Sequence, residues 1–433
     1  MGELRFVSRT LEDHELRRLR AQAFSEGLVV ERDGLSVFGL GVARHLRLPN
    51  GLQDPAALDN VVRELRAIRP RGSTESGEPR PAGVGRRELP ADAGELPVAM
   101  GAFKFLPAGS ADLVVPVVAV IARAGAPATA VVTGEEAGFG PLDDLLLARS
   151  EADEPPPDAF VLRSARPHDD FRRRVADAVG EVRSGRLEKV VMAREVVVEA
   201  NRPFHQADLL ERLRSLHPSC MTFALGGFLG ASPELLVRRD GRLVESHPLA
   251  GTAPRSGDPE ADRRTESALI NSPKERAEHR AVVAAIAAAL SPATDELEVP
   301  ERPEIVELRN VSHLGTRISG TLSLGPEGRV ATALDVLALM HPTPAVAGTP
   351  LDLALDYLEK AEELDRDRYA GAAGWVSADG DGEWYVGIRC ALVDDRTARL
   401  FAGVGIVSDS DPAAELAETQ LKLQAFLAAA VRP

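Results

Sequence analysis

The sequence predicts an α+β fold in which antiparallel β-sheets carry helices on their outside. Candidate strands follow one another in adjacent runs and do not alternate strictly with helices, which is typical of antiparallel sheets. The chain has 433 residues, of which 44% are hydrophobic, so a sizeable core can form. These observations favour an α+β arrangement, as one large domain or two of ordinary size, over a doubly wound fold.

The N-terminal part of the chain is interrupted by two segments with few apolar residues. Residues 69–93 are rich in Gly, Pro, Arg and Glu and are expected to form a mobile insert. Residues 151–158 contain three consecutive prolines and several acids, and we place the end of an N-terminal part, 1–158, there. The elements predicted within that part are a helix over 55–68 and strands over 98–106 and 113–122.

The second part, 159–433, is denser in predicted elements and in chemical motifs. Its predicted helices cover 169–183, 207–216, 273–290, 331–340 and 351–364, and a last helix begins at Pro412. Its predicted strands cover 188–198, 221–229, 234–239, 305–322, 374–378, 384–393 and 399–407. Two helix starts are marked by a capping side chain followed by a first-turn proline: Ser272 before Pro273, and Ser410 or Asp411 before Pro412.

Composition excludes several classes of partner. The formal net charge is −15, which argues against a nucleic acid or a membrane surface as partner. No apolar run has the length of a membrane span, and the N-terminus lacks a signal-peptide pattern. The two cysteines, Cys220 and Cys390, lie in predicted strands, and we expect a reduced, cytoplasmic protein. An anionic substrate would need a locally positive or metal-containing pocket.

The last strand and the helix after it form the most informative stretch of the chain. Gly403 and Gly405 alternate along the strand, where they let a ligand approach the backbone. Glu415, Glu418 and Lys422 follow at spacings that place them on one face of the helix. This stretch therefore places two carboxylates and an ammonium group beside backbone that a ligand can approach. Such a combination suits a metal ion with an anionic substrate.

Three further positions combine a charged group with a strand end or a small-residue face. Lys189 begins an apolar strand, where a lysine in low dielectric can act as a base. Glu234 stands where a turn meets a strand, and a carboxyl desolvated there could keep and donate a proton. Arg389 lies among small neighbours, on the face opposite Ile388, and could bind a carboxylate bidentately. A solvated side chain without a role is the alternative at each position.

Other polar residues are more ambiguous. Glu278, in the helix that begins at Pro273, could join the two carboxylates of the last helix around Mg²⁺, or lie on a solvated face. Gly251 and Thr252, in a turn-forming run, offer an amide and a hydroxyl to an oxyanion. His313 stands among strand residues and could be a satisfied core histidine. The chain contains neither a Gly-x-x-x-x-Gly-Lys-[Ser/Thr] loop nor a Gly-x-Gly-x-x-Gly after a strand.

The order of these motifs is more specific than any one of them. In sequence they are Lys189-Val190-Val191, Ser232-Pro233-Glu234, Pro248-Leu249-Ala250-Gly251-Thr252, Lys274-Glu275-Arg276 with Glu278-His279, His313-Leu314, His341-Pro342-Thr343-Pro344-Ala345-Val346, Tyr369-Ala370-Gly371, Ile388-Arg389 and the stretch from Ala402 to Lys422. This series resembles the chorismate-utilising enzymes over about 171–429, and the N-terminal part shows much less likeness. The resemblance implies large antiparallel sheets packed face to face with helices on the outside.

The resemblance also implies a reaction and roles for its residues. Members of the family hold chorismate in a Mg²⁺ site and add a nucleophile at ring C2 while the C4 hydroxyl leaves. By the resemblance, Lys189 would be the general base that activates water, and Glu234 the general acid that protonates the departing hydroxyl. Glu278 and Glu418 would bind Mg²⁺ directly, with Glu415 close by or acting through water.

The remaining family positions would bind the substrate. Tyr369, Arg389 and the amide of Gly405 would hold the enolpyruvyl carboxylate, and His313 would lie by the ring. The other end of the substrate, with the ring carboxylate, would be lined by Gly251, Thr252 and Lys422.

Three positions separate the activities within the family. Lys189 indicates water as the nucleophile, whereas anthranilate synthases carry glutamine there for ammonia. Ala250 argues against the aminodeoxychorismate synthases, many of which have a lysine there. Ala345 stands where salicylate synthases usually place a threonine. The resemblance therefore favours isochorismate synthase activity, an isomerase reaction, with salicylate synthase as the alternative.

Two further expectations concern partners and role. We expect a monomer without a glutamine amidotransferase subunit, serving menaquinone, siderophore or another biosynthesis. The main alternative from another class is a non-catalytic binding protein. It would require damage to the acid, the base or the metal ligands, yet Lys189, Glu234, Glu278 and Glu418 are all present.

Overall fold

The computed structural model describes residues 3–71, 95–135, 155–325 and 328–431. Most of the expected mobile insert, 72–93, and residues 151–154 of the second break lie outside the described residues. The first two residues of the expected insert, Arg69 and Pro70, form a short strand that pairs with the first strand of the chain. The insert was therefore predicted to begin too early.

The described residues form nine α-helices, several of which begin at a capping side chain. They are α1 (Asp13–Glu26), α2 (Pro55–Ala67), α3 (His168–Arg183), α4 (Gln206–Leu216), α5 (Pro259–Asn271), α6 (Pro273–Leu290), α7 (Ala333–Met340), α8 (Leu351–Ala361) and α9 (Pro412–Ala430). A first-position proline follows a capping side chain at α2, α5, α6 and α9. Sequence periodicity did not predict α1 or α5, because their buried faces are narrow.

The strands are numbered in chain order. The first ten are β1 (Leu4–Thr10), β2 (Leu28–Arg32), β3 (Leu35–Leu40), β4 (Arg44–Leu48), β5 (Arg69–Pro70), β6 (Val98–Phe103), β7 (Ala111–Val115), β8 (Val118–Arg123), β9 (Thr129–Glu135) and β10 (Phe160–Ser164). The remainder are β11 (Lys189–Ala200), β12 (Met221–Leu225), β13 (Phe228–Ser232), β14 (Leu235–Asp240), β15 (Leu243–His247), β16 (Leu249–Pro254), β17 (Thr294–Glu298), β18 (Glu304–Glu307), β19 (Val311–Gly315), β20 (Ile318–Leu322), β21 (Gly348–Thr349), β22 (Ala372–Ser377), β23 (Gly382–Val386), β24 (Cys390–Asp394) and β25 (Thr397–Ile406).

Among the described residues these strands form sheets of thirteen, nine and three strands. Apart from the parallel pair β1–β5, the strand pairs are antiparallel in the described part of the chain. In both large sheets the strands that precede residue 136 form one end and those that follow residue 159 form the other. The two ends join through β2 with β12 in one sheet and β6 with β22 in the other.

The two large sheets pack face to face over a common hydrophobic core. Phe223 of β12 and Met192 of β11 contribute to this core from one sheet, and Trp384 of β23 and Met100 of β6 contribute from the other. A second core, which includes Phe426, lies between the other face of the thirteen-stranded sheet and helices α1, α4 and α9. Helices α2 and α7 pack against the nine-stranded sheet. The predicted α+β fold is confirmed, and no described helix is long and apolar enough to cross a membrane.

Three segments that were each predicted to form a single strand are divided into two strands in the structure. Pro116 separates β7 from β8, since proline cannot donate to the sheet. Gly226 and Gly227, with φ of 58° and 74°, form the tight turn between β12 and β13. The strand predicted over 384–393 breaks between β23 and β24, where Arg389 adopts a φ of 52°. The strict alternation of faces predicted there is wrong at the break.

Candidate active site

All twelve residues that the sequence assigned to a site line a single cavity of about 160 Å³. They are Lys189, Glu234, Gly251, Thr252, Glu278, His313, Tyr369, Arg389, Gly405, Glu415, Glu418 and Lys422. They are supplied by the thirteen-stranded sheet, by the small sheet, by helices α6 and α9, and by links next to strands of the nine-stranded sheet. Residues up to 233 positions apart in the chain therefore share one cavity, and each of them follows residue 159.

Lys189 is the first residue of β11 and is only 8% exposed. Its Nζ atom donates to Oε1 of Glu278 over 2.7 Å. Gly405 lies beside it because β11 pairs with β25, with Val191 opposite Gly405 in the register. A Cβ atom on Gly405 would lie 2.5 Å from Cε of Lys189, so only glycine leaves the lysine its place.

Glu234 lies on the link between β13 and β14, where the chain crosses from the thirteen-stranded sheet to the nine-stranded one. The link is fixed by a hydrogen bond from the hydroxyl of Ser232 to the carbonyl of Val386, over 2.6 Å. Burial raises the pKa of Glu234 to about 7, although the amide of Leu249 and the charge of Lys189 oppose the shift. The carboxyl can therefore carry a proton near neutral pH.

His313 is held as a neutral imidazole. Its Nδ1 atom donates to the carbonyl of Gly251 over 2.9 Å, which leaves Nε2 to accept from Nη2 of Arg389 over 3.3 Å. Burial and the neighbouring guanidinium lower the pKa of His313 to about 3. The sequence also allowed a core histidine whose hydrogen bonds are satisfied. The hydrogen bonds of His313 agree with that alternative, but its ring also lines the cavity.

Arg389 reaches the cavity because the strand breaks before it. Its left-handed backbone conformation, which is rare for residues other than glycine, turns the chain between β23 and β24. Ile388, which the sequence places on the opposite face of the strand, lines the same cavity as Arg389. Burial lowers the pKa of Arg389, and no carboxylate hydrogen-bonds to it in the described part of the chain. This guanidinium is suited to an anionic ligand.

Helix α9 presents its charged residues as the spacing predicted. Asp411 caps the helix by accepting from the amides of Ala413 and Ala414. Nζ of Lys422 donates to the carbonyl of Gly403 over 2.9 Å and pairs with Oε1 of Glu418 at 2.8 Å. Burial opposes ionisation of Glu418, but the charge of Lys422 lowers its pKa overall.

Apart from Glu234 and the three carboxylates proposed as metal ligands, the cavity holds one more carboxylate, which the sequence did not assign. Glu275, in the first turn of α6, lies three residues before Glu278 and lines the same wall. Burial, followed by the charge of Glu278, raises its pKa. Burial also raises the pKa of Glu415, and Glu418 adds to the shift. The spacing of Glu275 and Glu278 on one helix face was a signal that could have identified the pair.

The carboxylates suit a hard divalent cation by their chemistry. Four of them line the cavity besides Glu234, and the pKa values of Glu275 and Glu415 are raised in part by their carboxylate neighbours. Two, Glu278 and Glu418, are paired with lysines. In this arrangement no three acidic, imidazole or thiolate groups of the described residues come together closely enough to hold a metal ion.

Lys274 is a second residue that the sequence did not assign. It lines the cavity from the first turn of α6, and its Nζ atom lies 3.3 Å from Oδ1 of Asp409, in the link that precedes α9. Both side chains are about half exposed, so the pair lies at the mouth of the cavity. Residues at the mouth of a cavity do not recur with the period of a helix or a strand. The sequence pattern therefore did not indicate Lys274.

The family model described as "Chorismate binding enzyme" matches residues 118–431. Isochorismate synthase DhbC of Bacillus subtilis is 41% identical over 272 residues, which cover 60% of this chain and 67% of that protein. A Mycobacterium tuberculosis protein, provisionally named isochorismate synthase MenF, is 36% identical over 349 residues, which cover 78% of this chain and 87% of that protein.

A solved structure supports the likeness over the whole fold. The crystal structure of a Bacillus anthracis protein, provisionally named 2,3-dihydroxybenzoate-specific isochorismate synthase DhbC, superposes with a TM-score of 0.77 at 30% sequence identity. The superposition covers 96% of this chain and 98% of that one. The likeness therefore extends through the N-terminal part, where the sequence alone shows little.

Proposed function

The chain belongs to the chorismate-binding enzymes, and from this premise we propose that it is an isochorismate synthase. The proposed reaction adds water at ring C2 of chorismate and releases the C4 hydroxyl, which makes the enzyme an isomerase. One observation carries the proposal: a buried lysine and a buried carboxyl with a pKa of about 7 face one cavity. A base and an acid are thus present together, as the reaction requires.

Lys189 is the proposed base. It takes a proton from the attacking water, so that oxygen bonds to C2 as the ring double bond shifts. Its position supports the assignment, because the side chain lines the cavity and Gly405 leaves it room there.

Glu234 is the proposed acid. It gives its proton to the C4 oxygen, which leaves as water, so one water enters and one leaves in each turnover. Because burial keeps the carboxyl protonated up to about pH 7, the proton is available close to neutral pH.

The substrate is a dianion, and the cavity offers cations to it. Arg389, Tyr369 and the amide of Gly405 are proposed to hold the enolpyruvyl carboxylate, with His313 beside the ring. Gly251, Thr252 and Lys422 are proposed to line the other end, with the ring carboxylate. Support comes from the absence of any described carboxylate hydrogen-bonded to Arg389. These charges offset an acidic protein with a net charge of −15.

We propose Mg²⁺ as the cofactor, held by Glu278 and Glu418, with Glu415 and Glu275 close by. A divalent cation there would neutralise the ring carboxylate of the substrate. The number of carboxylates in the cavity supports this choice, as Mg²⁺ prefers a few carboxylates with water and substrate oxygens. The lysine partners of Glu278 and Glu418 compensate their charge in the metal-free protein.

Ala345 favours the isomerase over the lyase. It lines the cavity and offers a methyl group where a salicylate synthase would usually present a threonine hydroxyl. We also propose a monomer without an amidotransferase subunit and a cytoplasmic location, in keeping with two buried free cysteines. Residues 159–433 would supply the chemistry, and the product would serve menaquinone, siderophore or a related biosynthesis.

Purified protein incubated with chorismate and Mg²⁺ is expected to give isochorismate, identified by chromatography against standards. Prior removal of divalent cations with a chelator is expected to abolish the reaction, and added Mg²⁺ to restore it. Salicylate with pyruvate as the main product would identify the lyase instead. No turnover under any of these conditions would contradict both activities and favour a non-catalytic binding protein.

Replacing Gly405 with alanine is expected to lower kcat about 10²-fold, because the added Cβ would displace Lys189 by an ångström or so. The matched control is Gly180→Ala in α3, where a Cβ would meet nothing within 4 Å. Steady-state rates with chorismate, at equal folded fraction by circular dichroism, test the comparison. Equal rates for the two variants would show that Lys189 does not need this space.

A further inference from the structure

A buried ion pair lies behind the cavity, and neither of its two residues lines the cavity itself. Glu362, at the end of α8, and Arg366 are only 5% and 3% exposed. Nε of Arg366 donates to Oε2 of Glu362, and Nη2 donates to Oε1, both over 2.6 Å. The guanidinium also stacks on the ring of Phe105, 4.2 Å from its centroid. This bidentate geometry fixes both side chains in distance and direction.

The other bonds of this pair go to the backbone of two cavity walls. Nη2 of Arg366 donates to the carbonyl of Val191 over 2.6 Å, and Nη1 donates to the carbonyl of Val346 over 3.0 Å. Oε1 of Glu362 accepts from the amide of Ala193 over 2.6 Å. Val191 and Val346 both line the cavity. The pair therefore ties strand β11 to the loop that precedes β21.

These two walls carry the residues that decide the chemistry. Val191 is two residues from Lys189 on the same strand, and Val346 follows Ala345 in the loop. A third wall begins at Arg366 itself, since its carbonyl accepts from the amide of Tyr369 over 2.8 Å. Arg366 thus bonds to the strand of the base, to the alanine loop and to the segment of the tyrosine, and it adds to the backbone hydrogen bonds that join β11 to β21. Loss of these bonds would leave buried polar and charged groups without partners, which is destabilising.

We propose that Arg366, held by Glu362, is a positioning residue that determines which product the enzyme releases. The inference rests on the proposed function. Isochorismate can react further when the C3–O bond breaks and the C2 hydrogen moves to the enolpyruvyl methylene, which gives salicylate and pyruvate with no other reactant. A fixed distance between β11 and the Ala345 loop keeps the bound enolpyruvyl group from the conformation that this step needs.

The test is an Arg366→Lys variant. Lysine keeps the charge opposite Glu362, but its single nitrogen cannot hold Val191 and Val346 together with both carboxylate oxygens. We expect kcat/KM for chorismate to fall at least tenfold and the fraction of turnover that ends as salicylate and pyruvate to rise at least fivefold. Both products are measured by chromatography, and pyruvate is also measured with lactate dehydrogenase.

The matched control is Arg32→Lys. Arg32 of β2 makes a similar bidentate pair with Glu383 of β23, over 2.6 and 2.8 Å, and neither residue lines the cavity. A general loss of stability would affect both variants, but only Arg366→Lys should change the product ratio. Should Arg366→Lys fail to fold, Glu362→Gln provides the test, because it weakens the same pair while keeping its size and one acceptor.

The outcomes separate this inference from the proposed function. A wild-type enzyme that forms no isochorismate contradicts the proposed function, whatever the variants do. A wild-type enzyme that forms isochorismate, with product ratios unchanged in Arg366→Lys or in Glu362→Gln, overturns the positioning role alone. A raised salicylate fraction that is absent in Arg32→Lys supports it.

Discussion

Replacing Lys189 with alanine is expected to lower kcat for chorismate by about 10²- to 10⁴-fold, the usual contribution of a general base. The lysine is buried at the start of β11, and its Nζ atom lies 2.7 Å from a carboxylate oxygen of Glu278. Alanine removes the proton acceptor and leaves Glu278 without its partner. Steady-state kinetics at saturating Mg²⁺ would measure the loss.

Two further variants separate the base from the ion pair. Lys189→Arg keeps a cation beside Glu278, but a guanidinium does not release its proton in the accessible pH range, so this variant should be as inactive as Lys189→Ala. Lys360→Ala, an exposed lysine of α8 that pairs with Asp356, should retain the wild-type rate. Substantial turnover by Lys189→Arg would mean that the lysine acts only through its charge.

Replacing Glu234 with glutamine is expected to lower kcat by a similar factor, about 10²- to 10⁴-fold, since glutamine cannot donate the proton that the departing hydroxyl needs. The change is nearly isosteric, so the link between β13 and β14 should keep its hydrogen bonds. In the wild-type enzyme, loss of the same proton should reduce kcat/KM as the pH rises above about 7. A rate that stays constant between pH 7 and 9 would argue against Glu234 as the acid.

The same substitution should change how stability depends on pH. Burial raises the pKa of Glu234 from 4.5 to about 7, so the folded protein binds this proton more tightly than the unfolded chain does. The folded state therefore loses stability as the pH rises from about 4.5 to 7, by about 3 kcal/mol in all. Glutamine does not ionise, so the Glu234→Gln variant should keep the stability that the wild type loses over this pH range.

Urea unfolding at pH 5 and pH 8 measures this effect without any substrate. Glu234→Gln should gain stability relative to the wild type on going from pH 5 to pH 8, by up to about 3 kcal/mol. Glu359→Gln, an exposed position on α8, serves as the control and should show no such trend. Parallel pH dependences for Glu234→Gln and the wild type would mean that the carboxyl is ionised at both pH values.

The sequence indicated which residues share a cavity better than it indicated the structure around them. The order of short motifs pointed to twelve residues that all line one cavity, and caps such as Asp411 indicated where helices begin. Both signals depend on local chemistry. The break at Arg389 was missed, since a left-handed residue in an apolar run is dictated by distant packing. Glu362 and Arg366 look like an ordinary surface pair at a spacing of four, and only the fold buries them.

Each large sheet combines strands from the beginning of the chain with strands that are synthesised much later. This arrangement affects folding during synthesis on the ribosome. Strand β2, Leu28–Arg32, leaves the ribosome long before its neighbour β12, Met221–Leu225, exists. At roughly 5–20 residues per second, the interval is about 10 to 40 s. During that time the edges of β2 and β6 are open to other nascent chains. Early release of the N-terminal portion would leave those edges exposed, so this portion depends on the later strands to cover the edges of its sheets.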